Sequence, residues 1–135
     1  MSPELADKLI QQYPEQFKNL KYLECDDGWY EILSRLCYIV NSHLDYKKRV
    51  DEPLGYFGWS QIKEKFGGLR AYANGADAFI RGAIGMAESM SYITCEVTGE
   101  KGKVRYKKFD EDGQRIPAWV KTLCDNEAEK EGYIV

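Results

Sequence analysis

The sequence has no apolar run approaching the roughly 20 residues that a membrane-spanning helix needs. Its first residues, Met1-Ser2-Pro3-Glu4, lack the basic and then apolar pattern of an export signal, which points to the cytoplasm. There is one histidine, His43, and there is no Gly-x-Ser-x-Gly elbow, no Gly-x-x-x-x-Gly-Lys phosphate loop and no His-Glu-x-x-His pair. The common sequence signatures of hydrolases, nucleotide-phosphate enzymes and metalloproteases are therefore missing. A surplus of charge of one sign is missing too. With a net charge of -3 and a pI near 5.3, the chain lacks the broad electrostatic attraction that lets a protein coat nucleic acid non-specifically.

What is present suits one folded domain. The 135 residues match a single core, and 44% hydrophobic with 13% aromatic against 30% charged residues excludes a disordered chain. No internal repeat and no long linker divides them. The expected architecture is α+β: residues 1–91 form a core of helices packed with a β-hairpin, and residues 92–135 form a tail of a second hairpin and a short helix.

The pattern predicts an N-terminal helix after Ser2-Pro3, with the Ser2 hydroxyl as cap and Leu5, Leu9, Ile10 and Tyr13 on one face. Asp26 and Asp27 are expected to cap a longer helix, whose Trp29, Ile32, Leu33, Leu36, Cys37, Val40 and Leu44 follow helical spacing. Lys47, Lys48 and Arg49 suit its C-terminal end. Gly67-Gly68 between alternating segments predicts a hairpin, with a helix over 60–66 as the rival. In that hairpin Ile62, Glu64, Phe66, Leu69, Ala71 and Ala73 share one face, and Lys63, Lys65, Arg70 and Tyr72 the other. A further core helix spans Asp77 to Ser91. Its Gly82 and Gly85 suit close packing, within the chain or against another copy. A strand over Lys103 to Phe109, a turn at Asp110 to Gly113, a return over Gln114 to Trp119 and a helix from Cys124 complete the chain.

Cys95 is followed three residues on by Thr98, and Cys124 by Glu127. Zinc knuckles carry Cys-x-x-Cys because a tight turn brings two thiolates onto one tetrahedral ion, so half of each ligand pair is present here. The order of knuckle, hairpin and helix matches a treble-clef finger with two ligands replaced. Cys25-Asp-Asp-Gly-Trp29, Lys65-Phe-Gly-Gly-Leu-Arg70, Met86-Ala-Glu-Ser-Met90, Thr94-Cys95-Glu-Val and Lys121-Thr-Leu-Cys124-Asp together resemble small uncharacterised proteins encoded by phages and prophages, over about residues 24–128. The resemblance implies that Thr98 and Glu127 stand where a cysteine and a histidine would bind metal. It implies a knuckle shape kept by packing, with Trp119, Val120 and Leu123 as core residues. No cofactor is expected. Buried thiols at Cys95 and Cys124 are preferred to a residual zinc site or a disulfide.

Two charged faces are the sequence's candidates for partner or ligand binding. Lys63, Lys65, Arg70 and Tyr72 combine cations with an aromatic plane, which suits phosphate pairing and base stacking. Alternation puts Lys103, Arg105 and Lys107 on one side of the tail strand, where lysines equally serve to discourage edge pairing. His43 reads as a satisfied, partly buried side chain. The expected function is non-catalytic binding, and the resemblance implies a phage-type protein that modulates or inhibits a host component, in the manner of an anti-CRISPR, by direct protein contact. The alternatives are a binder that sequesters a nucleotide or nucleic acid, a virion accessory protein, and an enzyme built on His43 or a cysteine. Self-association is compatible with each, and no membrane partner is expected.

Overall fold

A computed structural model of the chain describes residues 1–107, 111–114 and 119–135. Helix α1 (Pro3–Gln12) forms as its spacing predicts, burying Ala6 and Leu9. Its cap differs from expectation: the Ser2 side chain makes no capping bond, and the Ser2 N–H instead donates to Asp27 Oδ1 at 2.6 Å. Asp27 thus ties α1 to the next helix rather than capping that helix itself. A short 3-10 turn (Asp27–Trp29) leads into α2 (Tyr30–Arg49), which buries Leu33, Leu36, Cys37 and Val40 on one stripe. Lys47, Lys48 and Arg49 lie in its last turn, where the helix dipole favours cations.

The connection from α1 to α2 is tied down through its backbone and one buried amide. Gln16 donates from Nε2 to the Cys37 carbonyl at 3.0 Å and accepts at Oε1 from Trp59 Nε1 at 2.9 Å. Phe17, Leu20 and Leu23 point into the core. Glu24 then runs beside a strand, its N–H donating to the Ile62 carbonyl and its carbonyl accepting from the Glu64 N–H.

That strand is β1 (Gly58–Lys65), paired antiparallel with β2 (Gly68–Asn74), so the segment 60–66 is not helical. The turn is Phe66-Gly67 rather than Gly67-Gly68, because Lys65 pairs with Gly68. Both turn residues have positive φ, 52° and 82°, as the tight turn that matches strand twist requires. Phe66 therefore leaves the shared strand face and sits exposed at the tip. The first arm loses Phe66 and the second gains Gly68, so apart from Phe66 the two faces keep the predicted membership. Ile62 and Leu69 are buried, Trp59 is buried beyond a bulge at Ser60, and Lys63 faces the same side as Arg70.

Helix α3 (Ala78–Ser91) starts with Asp77, whose Oδ1 accepts from the Ile80 N–H at 2.9 Å. It covers the edge of β2, where Ser91 Oγ accepts from the Leu69 N–H. The tail adds β3 (Lys103–Tyr106), paired antiparallel with β4 (Val120–Leu123), and α4 (Asp125–Glu131). The expected continuation of β3 to Phe109 and most of the return segment fall outside the described residues. The fold is α+β, with four α-helices and two hairpins among the described residues. Buried side chains form two clusters: a large one spanning α1 to α3, and a small one of Cys95, Leu123, Cys124, Ala128 and Tyr133 in the tail. Of the three expected tail core residues, Leu123 is fully buried and Val120 half-buried, but Trp119 is 48% exposed. No helix among the described residues is long and apolar enough to cross a membrane.

His43 joins the two long helices. Its Nε2 lies 2.6 Å from Asp77 Oδ2, and its ring stacks on Phe79 at 4.2 Å between centroids. Burial alone would raise the Asp77 carboxyl, but the His43 contact and the Ile80 N–H hold it below its ordinary value. A depressed acid contributes stability above its unfolded pKa and loses it as pH falls. Asp77→Ala is expected to cost about 1 kcal/mol at pH 7, the usual value of a lost cap. The gap from the native chain should close well below pH 3.8, the ordinary value for this carboxyl. Urea unfolding at the two pH values checks this, and an equal gap at both would contradict it.

Candidate functional site: an apolar groove between two helices

Helices α2 and α3 run antiparallel. Asp77, before α3, meets His43 near the end of α2, whereas Met90, near the end of α3, shares a cavity with Glu31 in the first turn of α2. Each helix carries more apolar side chains than its core stripe needs. On α2, Tyr38, Ile39 and Tyr46 lie off the stripe of Leu33, Leu36, Cys37 and Val40 and are exposed. On α3, Phe79, Met86 and Met90 are exposed while Ile80 and Ala87 face inward. Phe79, Met86 and Met90, seven and four residues apart, share one face of α3, and Tyr38, Ile39 and Tyr46 fall within about a quarter turn of one another on α2.

The outer faces meet along a groove. One stretch, about 280 Å³, is lined by Ile32, Arg35, Ile39, Ala83, Met86 and Met90 among others. The next, about 400 Å³, lies among Tyr38, Ile39, Ser42, His43, Tyr46 and Phe79, so Ile39 belongs to both. From Glu31 to Tyr46 the groove is about 22 Å long at 1.5 Å per residue. Glu31 and Arg35 stand one turn apart at one end, and neither is ion-paired among the described residues; Arg35 lies over the Tyr38 ring at 4.8 Å. Gly82 and Gly85 have open space where a side chain would be, so they do not serve packing within the chain. An exposed apolar strip of this kind is a candidate binding surface, because a monomer in water gains nothing from it.

The charged faces expected from the sequence are arranged differently. Arg70 is engaged: Nη1 pairs with Glu88 on α3 and donates to the Tyr92 hydroxyl at 3.0 Å. Those two partners strengthen its hold on the proton, the Tyr92 bond most of all. Lys63 lies 6.0 Å from the Tyr72 ring, and Lys65 lies beside Phe66 at the hairpin tip, 5.9 Å from its ring. The face keeps two lysines and a half-exposed tyrosine, with its guanidinium turned to α3.

The tail cations are separated as well. Lys103 is exposed, whereas Arg105 is 4% exposed, donating from Nε to the Leu123 carbonyl at 2.8 Å and pairing with Asp125. Alternation predicts Arg105 on the side of Lys103 and Lys107, but the long side chain folds under the hairpin to satisfy a buried carbonyl. Lys107 lies 4.9 Å from the Trp119 ring and 5.8 Å from that of Tyr133.

At the knuckle, the Gly99 N–H returns to the Cys95 carbonyl at 2.9 Å, closing a tight turn. Burial would raise the Cys95 thiol, but the Thr98 hydroxyl and the N–H groups of Cys124, Thr98 and Val97 hold it below its ordinary value. The Thr98 hydroxyl also lies 3.8 Å from Cys124 Sγ, and Glu127 is paired with Lys130. Two sulfurs with a hydroxyl between them do not make the four-ligand set of a structural zinc, and no group of three or more His, Cys, Asp and Glu side chains converges among the described residues. Cys25 and Cys37 are different, apolar thiols, each pushed up to about 12 chiefly by burial.

No protein family matches the chain, and neither curated proteins nor solved structures give a match. The groove was not among the sequence's candidates. The available signal was Tyr38-Ile39 lying off the core stripe of α2, together with a helix α3 that carries apolar residues on every face.

Proposed function

We propose that this chain is a non-catalytic binding protein that docks the apolar face of an amphipathic helix from a partner protein along the α2/α3 groove. The observation that carries this reading is the exposed group of Tyr38, Ile39, Tyr46, Phe79, Met86 and Met90 lining two adjoining cavities that share Ile39. Helices dock in such grooves through apolar anchors at i, i+3, i+4 and i+7. Glu31 and Arg35, neither ion-paired among the described residues, add a direction, since they favour a partner helix with a cation and an anion one turn apart at that end. The resemblance to phage proteins supports a host protein as the source of the helix and modulation of that protein as the outcome.

The test uses tagged full-length chain in host lysate, with a photoreactive residue in place of Ser42 and an Ile39→Glu/Met86→Glu double variant. Burying two carboxylates in an apolar interface should weaken capture at least a hundredfold while circular dichroism stays native. A stoichiometric partner that crosslinks through a helix and is lost in the variant supports the proposal. A partner captured equally by both chains, or crosslinks only between copies of this chain, would overturn it.

A further inference from the structure

The tail and the core meet along a polar seam, and Glu96 lies at its centre. Its main chain faces both sides: the Gly28 N–H donates to the Glu96 carbonyl at 2.6 Å, and the Glu96 N–H donates to the Thr122 carbonyl at 3.0 Å. Its side chain crosses to the segment before α2, where Oε2 accepts from the Asp26 N–H at 3.0 Å. The seam is completed by Trp29 Nε1 donating to the Thr94 carbonyl and by the Thr122 hydroxyl donating to the Gly67 carbonyl. Glu96 is 3% exposed, and its Oε1 has no hydrogen-bond partner among the described residues.

A buried carboxylate with one oxygen unpartnered is costly as an anion and far less so as a neutral acid. The surrounding charges add to this. Asp26 on the segment before α2 and Glu64 on β1 oppose ionisation, while Lys121 on β4 favours it but is already paired with Glu131. Cys25 and Tyr133 also face the group. Burial first, then these carboxylates, push the Glu96 carboxyl up to about 7.

We propose that the seam is a proton-linked latch: neutral Glu96 keeps the tail seated on the core, and ionised Glu96 lets it lift. An acid whose folded pKa is raised contributes stability that is complete below its unfolded value and is lost as pH rises through the folded value. The window therefore lies between 4.5 and about 7.

The full chain is used for the test, with amide exchange at Gly28 read as a protection factor from pH 5.5 to 8, in the native chain and in Glu96→Gln. In the native chain protection should fall roughly twentyfold across that range, and in Glu96→Gln, which is neutral at every pH, it should stay high and flat. The Glu96 side-chain carbon, followed by NMR, should titrate near neutrality. PH-independent protection in the native chain would overturn the latch, as would an ordinary titration of the carboxyl near 4.5, the usual value for a glutamate. Loss of protection in Glu96→Gln at every pH would show instead that the side chain acts by shape and not by charge.

Discussion

Replacing Gly28 with alanine is expected to destabilise the chain by about 3 kcal/mol and to lower its thermal midpoint by roughly 10 °C. A methyl group on Gly28 would collide with the Cys95 carbonyl oxygen and stand 2.5 Å from the Glu96 carbonyl carbon. Both are backbone atoms of the knuckle, which is closed on itself by the Cys95 and Gly99 hydrogen bonds and held to β4 by Glu96. Nothing there is the free end of a flexible side chain, so the strain is relieved only by separating tail from core. The short bond from the Gly28 N–H to Glu96 is then lost with it. Calorimetry gives the midpoint, and exchange at Glu96 and Cys95 shows where the loosening occurs. An unchanged midpoint would mean that the seam is looser than its geometry states.

Trp29→Ala is expected to cost about 4 kcal/mol, a large share of the 5 to 15 kcal/mol typical of a domain. Trp29 is completely buried and precedes the first turn of α2, so its removal leaves a cavity beneath the helix that anchors the core. It also deletes the indole donor to the Thr94 carbonyl, one of the bonds across the seam. Trp29→Phe separates these effects. It keeps most of the packing and should cost about half as much, dominated by the unpaired Thr94 carbonyl and the missing ring volume. Urea unfolding followed by far-UV dichroism measures both variants. Equal losses for alanine and phenylalanine would assign the effect to the hydrogen bond alone and refute the cavity argument.

Much of the fold was legible because local and tertiary demands agree. Helix α2 announces itself through Leu33, Leu36, Cys37 and Val40 at helical spacing, and those four residues are buried. Helix α3 was legible too, although Asp77, read as its first residue, is its cap. Apart from Phe66, the hairpin faces were readable from alternation, since the period of two holds along each paired arm. The turn itself was not, because the glycine signal points to Gly67-Gly68, whereas pairing with the rest of the sheet places Phe66 in a left-handed conformation.

Which charged residues remain available was much harder to read. Arg70 and Arg105 look like their surface neighbours in the sequence, but each reaches a partner far along the chain, Glu88 in one case and the Leu123 carbonyl in the other. Long side chains choose among partners that only the folded chain brings near. The groove has the same origin: Tyr38-Ile39 and Met86 are ordinary apolar residues until two helices pack antiparallel and leave them side by side.

By itself, the sequence determined an α+β chain with a helical core and two hairpins, since helical spacing and strand alternation act over a few positions. The tertiary structure alone decided that Glu96 is buried with an oxygen unpaired, that Gly28 must be bare, and that α2 and α3 expose a shared apolar channel. Those features arise from residues separated by tens of positions, and their energies depend on what water can no longer reach.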